Sequence, residues 1–204
     1  MNLLYEFTQQ IPLTTPLTWE HPPVKWEPLP DGGMRVQVPA QADYFRDPAG
    51  RIVKDDAPYL WRYMQGDFVA RAHVRPAHTS TYDAGAIMVR HDALTWAKIC
   101  YESTDFGTRA AVSVVTREVS DDANGANLDV PDLWLQVCRV GEVFALHYAL
   151  DGQSWRMVRL FQLPVPRNVQ VGLVAQCPVG PGTIVDFLYF SLEQRTVGNI
   201  RAGV

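Results

Sequence analysis

The chain has 204 residues, of which 47% are hydrophobic and 20% charged, and its formal net charge is −4. This composition is normal for a globular protein, and at this size roughly 70% of the unfolded chain's surface is buried on folding. No block of Lys and Arg stands out, so a nucleic-acid partner is not expected.

The amino-terminal residues 1–8 have neither a basic segment nor a continuous apolar run, which argues against a secretory signal. No stretch approaches the ~20 apolar residues that a membrane span needs. We therefore expect a cytoplasmic protein without a membrane partner. The odd number and wide spacing of Cys100, Cys138 and Cys177 predict reduced thiols in strands. No histidine or cysteine pair has metal-ligand spacing, and we assign no metal and no cofactor.

The first 58 residues predict extended segments and loops. The high proline content of residues 1–30 favours turns and short strands over helix. In Met34–Val38, apolar and polar residues alternate with the period of two that a half-buried strand shows. Residues 39–58 are rich in Pro, Gly and Asp, and we interpret them as a loop with a short strand at Asp43–Arg46.

The stretch Asp83–Glu118 predicts three consecutive strands joined by two short turns. Further turns are predicted at 121–125, 151–152, 164–166 and 178–182, with strand-length runs between them. Thr183–Leu192 is apolar on nearly both sides and predicts a central strand. No helical period persists for three turns, so the sequence indicates an all-β sandwich or barrel. We expect one domain over residues 1–204, with a core at about 15–193 and a polar carboxyl-terminal tail as an appendage.

In the second of the three strands predicted in Asp83–Glu118, one row of side chains indicates a binding face. Trp96, Lys98, Cys100 and Glu102 share one side of that strand because side chains alternate. If neighbouring strands pair, polar and aromatic residues converge on one concave face. The candidate binding residues are Arg90, Trp96, Lys98, Glu102, Arg117, Trp134, Gln136 and His147. Such a groove suits a sugar or another small molecule. The alternative is a solvated face with cross-strand ion pairs.

Catalytic motifs are missing from the sequence. There is no Gly-x-Ser-x-Gly and no phosphate-binding loop. The candidates for the carboxylate pair that glycoside chemistry needs are Glu102 with Asp105, Glu118 with Asp121 or Asp122, and Glu20, and they show no strand alternation. We therefore assign no catalytic residue and lean against an enzyme.

Short motifs spread over residues 15–193 resemble the domain-of-unknown-function family 1349, which includes proteins similar to the yeast regulator-of-enolase protein. The motifs that carry the resemblance are Asp43-Tyr-Phe-Arg, Ala57-Pro58, Gly66-Asp67-Phe68, Tyr82-Asp83-Ala-Gly85, Met88-Val-Arg90, Trp96-Ala-Lys98, Glu102, Ser113-Val-Val-Thr116, Ser120-Asp121, Leu133-Trp-Leu135, Asp151-Gly152-x-x-Trp155 and Val171-Gly172-Leu173. The family pattern has Trp where this chain has Asp122.

The resemblance implies a concanavalin A-like jelly-roll sandwich of two antiparallel sheets, one of them concave. It also implies a concave face on which relatives in the lectin and glucanase superfamily bind or cleave carbohydrate. Three functions stay open: a carbohydrate-binding domain, a glycoside hydrolase or lyase with Glu102 as acid or base, and a regulatory protein-interaction domain. A homo-oligomer is also left open. A groove filled by residues 39–58 and 119–132 would argue against binding.

Overall fold

The computed structural model describes residues 1–204 and contains one short helix and sixteen strands. In chain order the elements are α1 (Leu3–Thr8), β1 (Thr18–Glu20), β2 (Lys25–Pro28), β3 (Met34–Val38), β4 (Tyr44–Arg46), β5 (Val53–Asp55), β6 (Tyr59–Gln65), β7 (Phe68–Pro76), β8 (Ala84–Arg90), β9 (Thr95–Ser103), β10 (Arg109–Arg117), β11 (Val119–Asn127), β12 (Leu133–Val140), β13 (Val143–Ala149), β14 (Arg156–Gln162), β15 (Asn168–Gln176) and β16 (Thr183–Glu193). The helix is too short to cross a membrane.

Two seven-stranded antiparallel sheets pack face to face as a jelly-roll sandwich. The first sheet has the order β1-β6-β15-β8-β9-β10-β11, and the second has the order β14-β13-β12-β7-β16-β3-β2. The predicted fold class is confirmed. The three strands predicted in Asp83–Glu118 are β8, β9 and β10, which lie side by side in the first sheet.

The core is a continuous cluster of 48 buried hydrophobic residues, which fills the space between the two sheets and extends to residues under the β4–β5 segment, such as Tyr44 and Trp96. Alternation along each strand decides which side chains enter it. Gly85 in β8 faces the second sheet, since a Cβ there would meet Val185, Val74 and Phe187. Gly85 pairs with Tyr101, so the odd-numbered residues of β8 and β9 face the second sheet. The even-numbered residues of these strands, Lys98 among them, lie on the face turned away from the second sheet. We call this face of the first sheet the outer face.

A two-stranded hairpin formed by β4 and β5 lies on the outer face, so the condition stated against binding is met for residues 39–58, which fill part of this face. It is not met for residues 119–127, which form the edge strand β11 of the sheet itself. Tyr44 of β4 is fully buried on the outer face, with its ring edge-on to Tyr59 of β6 and Trp96 of β9. The predicted strand at Asp43–Arg46 is confirmed as β4. Its partner β5 was not predicted from the sequence, because Val53–Asp55 is too short to show a period.

Three local predictions are wrong. Leu3–Thr8 is a helix: Asn2 accepts a hydrogen bond from the Leu4 N–H, and Leu3 and Leu4 are buried. The turn predicted at 121–125 lies inside β11, an edge strand that pairs on one side only and so tolerates Asp, Asn and Gly. The tail is not an appendage, because Val197 is buried against Val69 and Cys138.

Candidate functional site

Lys98 lies on the outer face of the first sheet, under the β4–β5 hairpin, and is 2% exposed. Its Nζ donates to Asp43 Oδ1 at 3.1 Å, to the Tyr44 carbonyl oxygen at 2.7 Å and to Gln176 Oε1 at 2.7 Å. An ammonium group has three donors, so all of them are used. Burial by itself would lower the pKa of Lys98, but nearby negative charge, Asp43 first, raises it above its ordinary value. Lys98 therefore stays charged and ties the hairpin to the sheet.

Glu102 lies four residues after Lys98 on the same side of β9 and belongs to the same hydrogen-bond network. Gln176 Nε2 donates to Glu102 Oε2 at 3.2 Å and to the Tyr82 carbonyl oxygen at 3.1 Å. Burial raises the pKa of Glu102 to about 8, although the charge of Lys98 opposes the shift. The carboxyl group is therefore mostly protonated at neutral pH.

Next to this network a cavity of about 270 Å³ opens between the hairpin and the loop that follows β15. Its apolar lining comprises Phe45, Ile52, Tyr82, Pro178 and Val179, and its polar lining comprises Asp43, Lys54, Lys98, Asp122 and Gln176. Asp122 is placed two strands from Lys98 by its pairing with Val114. It is exposed at the mouth, and the partial enclosure of its carboxyl group raises its pKa. We call this space the hairpin cavity.

Tyr82 forms part of the cavity wall in a backbone conformation that few side chains adopt. Its φ is +68°, in the left-handed region. Hydrogen bonds hold it there: its N–H donates to the Ser103 carbonyl oxygen at 2.6 Å, and its own carbonyl accepts from Gln176. Strained residues that the surroundings hold in place concentrate at ligand sites.

Two other predicted residues lie on the outer face but are not open to a ligand. Trp96 is fully buried beneath Tyr44. Arg90 donates from Nη1 to both carboxylate oxygens of Glu20, at 2.7 and 2.9 Å, and to Gln170 at 3.3 Å. Both residues therefore support the hairpin and the sheet beside it.

The predicted convergence of all eight residues on one face is wrong. Trp134, Gln136 and His147 belong to β12 and β13 in the second sheet, on the opposite side of the sandwich. The carboxyl-terminal segment covers two of them: Gln136 donates to the Gly203 carbonyl, and His147 lies 3.1 Å from the Ile200 carbonyl. Arg117 is exposed at the end of β10, on the row that faces the second sheet.

Trp134 packs closely against two neighbouring segments. His73 stacks on one face at 4.5 Å, with 8° between the ring planes. Gly152 approaches so closely that a Cβ there would lie 2.9 Å from the indole. Trp134 is therefore half-buried among its neighbours and lies far from the hairpin cavity.

Of the ten residues that line the cavity, the sequence interpretation named only Lys98 as a binding residue, and the polar residues Asp43, Asp122 and Gln176 and the strained Tyr82 are among the nine that it missed. Gln176 carried a usable signal, because it ends a run in which the apolar residues Val169, Val171, Leu173 and Ala175 take alternate positions. Asp122 was named only as a possible member of a carboxylate pair with Glu118, because it was assigned to a turn. It occupies the position where the family pattern has Trp.

A larger, more open depression of about 610 Å³ lies at one end of the sandwich and includes Arg139. This guanidinium donates to the carbonyls of Gly141, Arg167 and Pro166 at 2.8, 3.1 and 2.9 Å. Arg139 is thus occupied in holding a loop. No group of three or more His, Cys, Asp or Glu side chains is arranged to hold a metal ion.

The fold and the arrangement on the outer face define a concanavalin A-like jelly-roll protein. The chain belongs to the family described as "Protein of unknown function (DUF1349)", whose sequence profile matches residues 19–195. No functionally curated protein matches the chain.

Among solved structures, the chain is similar to a functionally unknown protein from Saccharomyces cerevisiae, with a TM-score of 0.81 and 27% identity over 89% of this chain and 97% of that one. It is also similar in fold to a carbohydrate-binding module, CBM66, from Bacillus subtilis, with a TM-score of 0.55 and 14% identity over 90% and 100% of the two chains. A xylan β-1,4-xylosidase from Bacillus halodurans has a TM-score of 0.63 and 12% identity, and the match covers 86% of this chain and 39% of the xylosidase.

Proposed function

We propose that the protein binds a carbohydrate in the hairpin cavity. The observation that carries the proposal is the lining of this space: apolar and aromatic walls surround a few fixed polar groups. Phe45 and Tyr82 offer ring surface to the C–H face of a sugar, and Asp122 and Asp43 offer oxygens to its hydroxyl groups. Support also comes from the fold, since one similar structure is titled a carbohydrate-binding module.

The buried network below the cavity supports binding by keeping these groups in place. Lys98 and Gln176 fix the hairpin and Tyr82, so little side-chain freedom is lost when a ligand enters. In this proposal Lys98 and Glu102 position the site, whereas Tyr82 and Asp122 contact the ligand.

A nuclear magnetic resonance screen of the folded protein against mono- and oligosaccharides tests the proposal. We expect chemical-shift changes at the hairpin and at residues 176–179, and binding weakened at least about tenfold by Tyr82→Ala or Asp122→Asn, which each remove one good contact. The matched controls are Tyr63→Ala, an exposed tyrosine on the first sheet, and Asp31→Asn, an exposed acid far from the cavity. Equal effects of the control and cavity variants would contradict the assignment.

A second function, glycoside hydrolysis, is favoured by one observation. Glu102 is mostly protonated at neutral pH, and a second carboxyl group, Asp122, lies close enough to raise its pKa further. A protonated carboxyl group beside a second carboxylate is the pairing that glycosidases use. Assays with aryl glycosides decide between the two functions: hydrolysis that Glu102→Gln abolishes, while binding persists, would favour the enzyme.

A further inference from the structure

The β4–β5 hairpin crosses the outer face and is fastened at both sides. At one side the residue before the hairpin, Ala42, bridges to Cys177 after β15. At the other, Arg46 donates its N–H to Ser120 Oγ and its Nε–H to the Glu118 carbonyl, both at 2.9 Å. Between these points Tyr44 is fully buried against the sheet. A long polymer therefore has no continuous path across this face.

The space that remains is small and closed by the hairpin on one side. Its volume of about 270 Å³ is just below the ~300 Å³ at which pockets for drug-sized ligands begin. The hairpin supplies one wall through Phe45 and Ile52, and the loop after β15 supplies the other through Pro178 and Val179. One sugar unit fits such a space, whereas a chain that enters at one end and leaves at the other does not.

Around the cavity, carboxylate oxygens remain free to accept hydrogen bonds, whereas both lysines that line it already have partners. All three donors of Lys98 are used, as described above. Lys54 donates to the Gln41 carbonyl at 2.8 Å and lies 3.9 Å from Asp56. Asp122 makes no side-chain hydrogen bond, and Asp43 uses one oxygen for Lys98 and the Tyr44 N–H. A carboxylate or phosphate on a ligand would therefore meet the negative charges of Asp122 and Asp43, and the one lining cation with unused donors, Lys54, is already engaged with the Gln41 carbonyl and lies close to Asp56.

We infer that the hairpin cavity takes one terminal sugar unit, neutral or carrying an amino group, and excludes both the interior of a polysaccharide and acidic sugars. This inference rests on the proposed function, since it presupposes that the cavity binds carbohydrate. Hydroxyl and ammonium groups donate to Asp122 and Asp43, and the rest of the glycan extends into solvent.

The dependence of affinity on oligosaccharide length tests whether the cavity takes only the terminal sugar unit. Calorimetry is run on the full chain with linear oligomers of glucose, xylose, fructose, mannose and galactose, from disaccharides to octasaccharides. We expect one protein molecule per oligosaccharide at every length, with an affinity that changes less than about threefold along the series. A stoichiometry or affinity that rises with chain length overturns the inference but leaves the proposed function standing.

Charge selectivity is tested with matched methyl glycosides: the neutral sugar, its 2-amino form and its uronate. We expect the uronate to bind at least about tenfold more weakly than the neutral sugar, because like charges would face each other. Asp122→Lys should reverse this order, and Asp31→Lys, an equal charge change far from the cavity, should not. Uronate binding as tight as that of the neutral sugar overturns the inference, and no binding of any sugar by the folded protein overturns it together with the proposed function.

Discussion

At the scale of single residues, Lys98 differs most between its expected and its observed role. The sequence interpretation placed it in an open groove as a ligand contact. In the structure its ammonium group is enclosed and bonded to Asp43, Tyr44 and Gln176. An alternating pattern shows on which row a lysine lies, but not whether a distant segment covers that row.

Lys98→Met should lower the free energy of unfolding by about 3–5 kcal/mol, because it leaves Asp43 buried beside the hairpin without its cation. Urea denaturation measures the loss. Lys25→Met is the matched control: its side chain is 66% exposed in a surface pair with Glu27, and a loss of at most about 1 kcal/mol is expected. Equal losses for the two variants would show that Lys98 is not an anchor.

The raised pKa of Glu102 predicts that the stability of the protein depends on pH. The folded protein holds its proton up to about pH 8, whereas the unfolded chain releases it near pH 4.5. The stabilisation linked to Glu102 is therefore complete below pH 4.5 and is lost progressively as the pH rises to about 8. Burial is the largest cause of the raised pKa of Glu102. The charge of Lys98 lowers this pKa, and the charges of Asp122, Asp43 and Asp105 raise it.

The measurement is the difference in unfolding free energy between Glu102→Gln and the wild type, followed from pH 4.5 to pH 8. Because the amide does not titrate, the variant should gain stability relative to the wild type as the pH rises, by about 1–4 kcal/mol over this range. Glu118→Gln, on an exposed residue, is the control. A flat difference for Glu102→Gln would refute the raised pKa.

At the scale of elements, two segments without a strong sequence pattern hold the surface of the sandwich together. The β4–β5 hairpin covers the middle of the outer face through Tyr44. The carboxyl-terminal segment covers the second sheet, where Val197 packs on Val69 and Cys138. Both are short and irregular, so only their long-range contacts define their positions.

Val197→Ala should cost about 1–2 kcal/mol of stability, since the side chain is 8% exposed and loses most of its burial. Thermal or urea unfolding measures the change. The control is Val204→Ala, at a residue that is 60% exposed near the end of the same segment, and its effect should stay within about 0.5 kcal/mol. If both variants behave alike, the segment is not part of the folded unit.

At the scale of the whole molecule, the two packed sheets and the segments that cover their outer faces leave all three thiols unreachable. Cys100, Cys138 and Cys177 are free and have no exposed surface. Burial raises the pKa of each thiol, which reduces the reactive thiolate further. The prediction of thiols in strands is confirmed for Cys100 in β9 and Cys138 in β12, whereas Cys177 lies directly after β15.

No thiol should react with an aromatic disulfide reagent in the native protein, and all three should react in denaturant. The slow native reaction should follow global unfolding, so it should accelerate in the destabilised variant Lys98→Met. A spectrophotometric time course measures it, with a small free thiol as the control. Rapid reaction of even one cysteine without denaturant would show an opening that the structure lacks.

Sequence reasoning recovered the sheet class because period-two alternation follows directly from strand geometry. Met34, Val36 and Val38 all face the core, as their spacing predicted. The row that holds Trp96, Lys98 and Glu102 was also identified, and it lies beside the hairpin cavity.

What the sequence alone determined about this protein is therefore most of its strands, the two faces of each of these, and its family, whereas α1, β5 and β11 were not recognised. Only the tertiary structure decided that Trp134, Gln136 and His147 lie on the other sheet and that Asp43, Tyr82, Asp122 and Gln176 surround the cavity. The physical reason is that alternation is a local property of one strand. Which strands become neighbours, and which loop covers them, depends on packing between segments far apart in the chain, such as Lys98 on Asp43 and on Gln176.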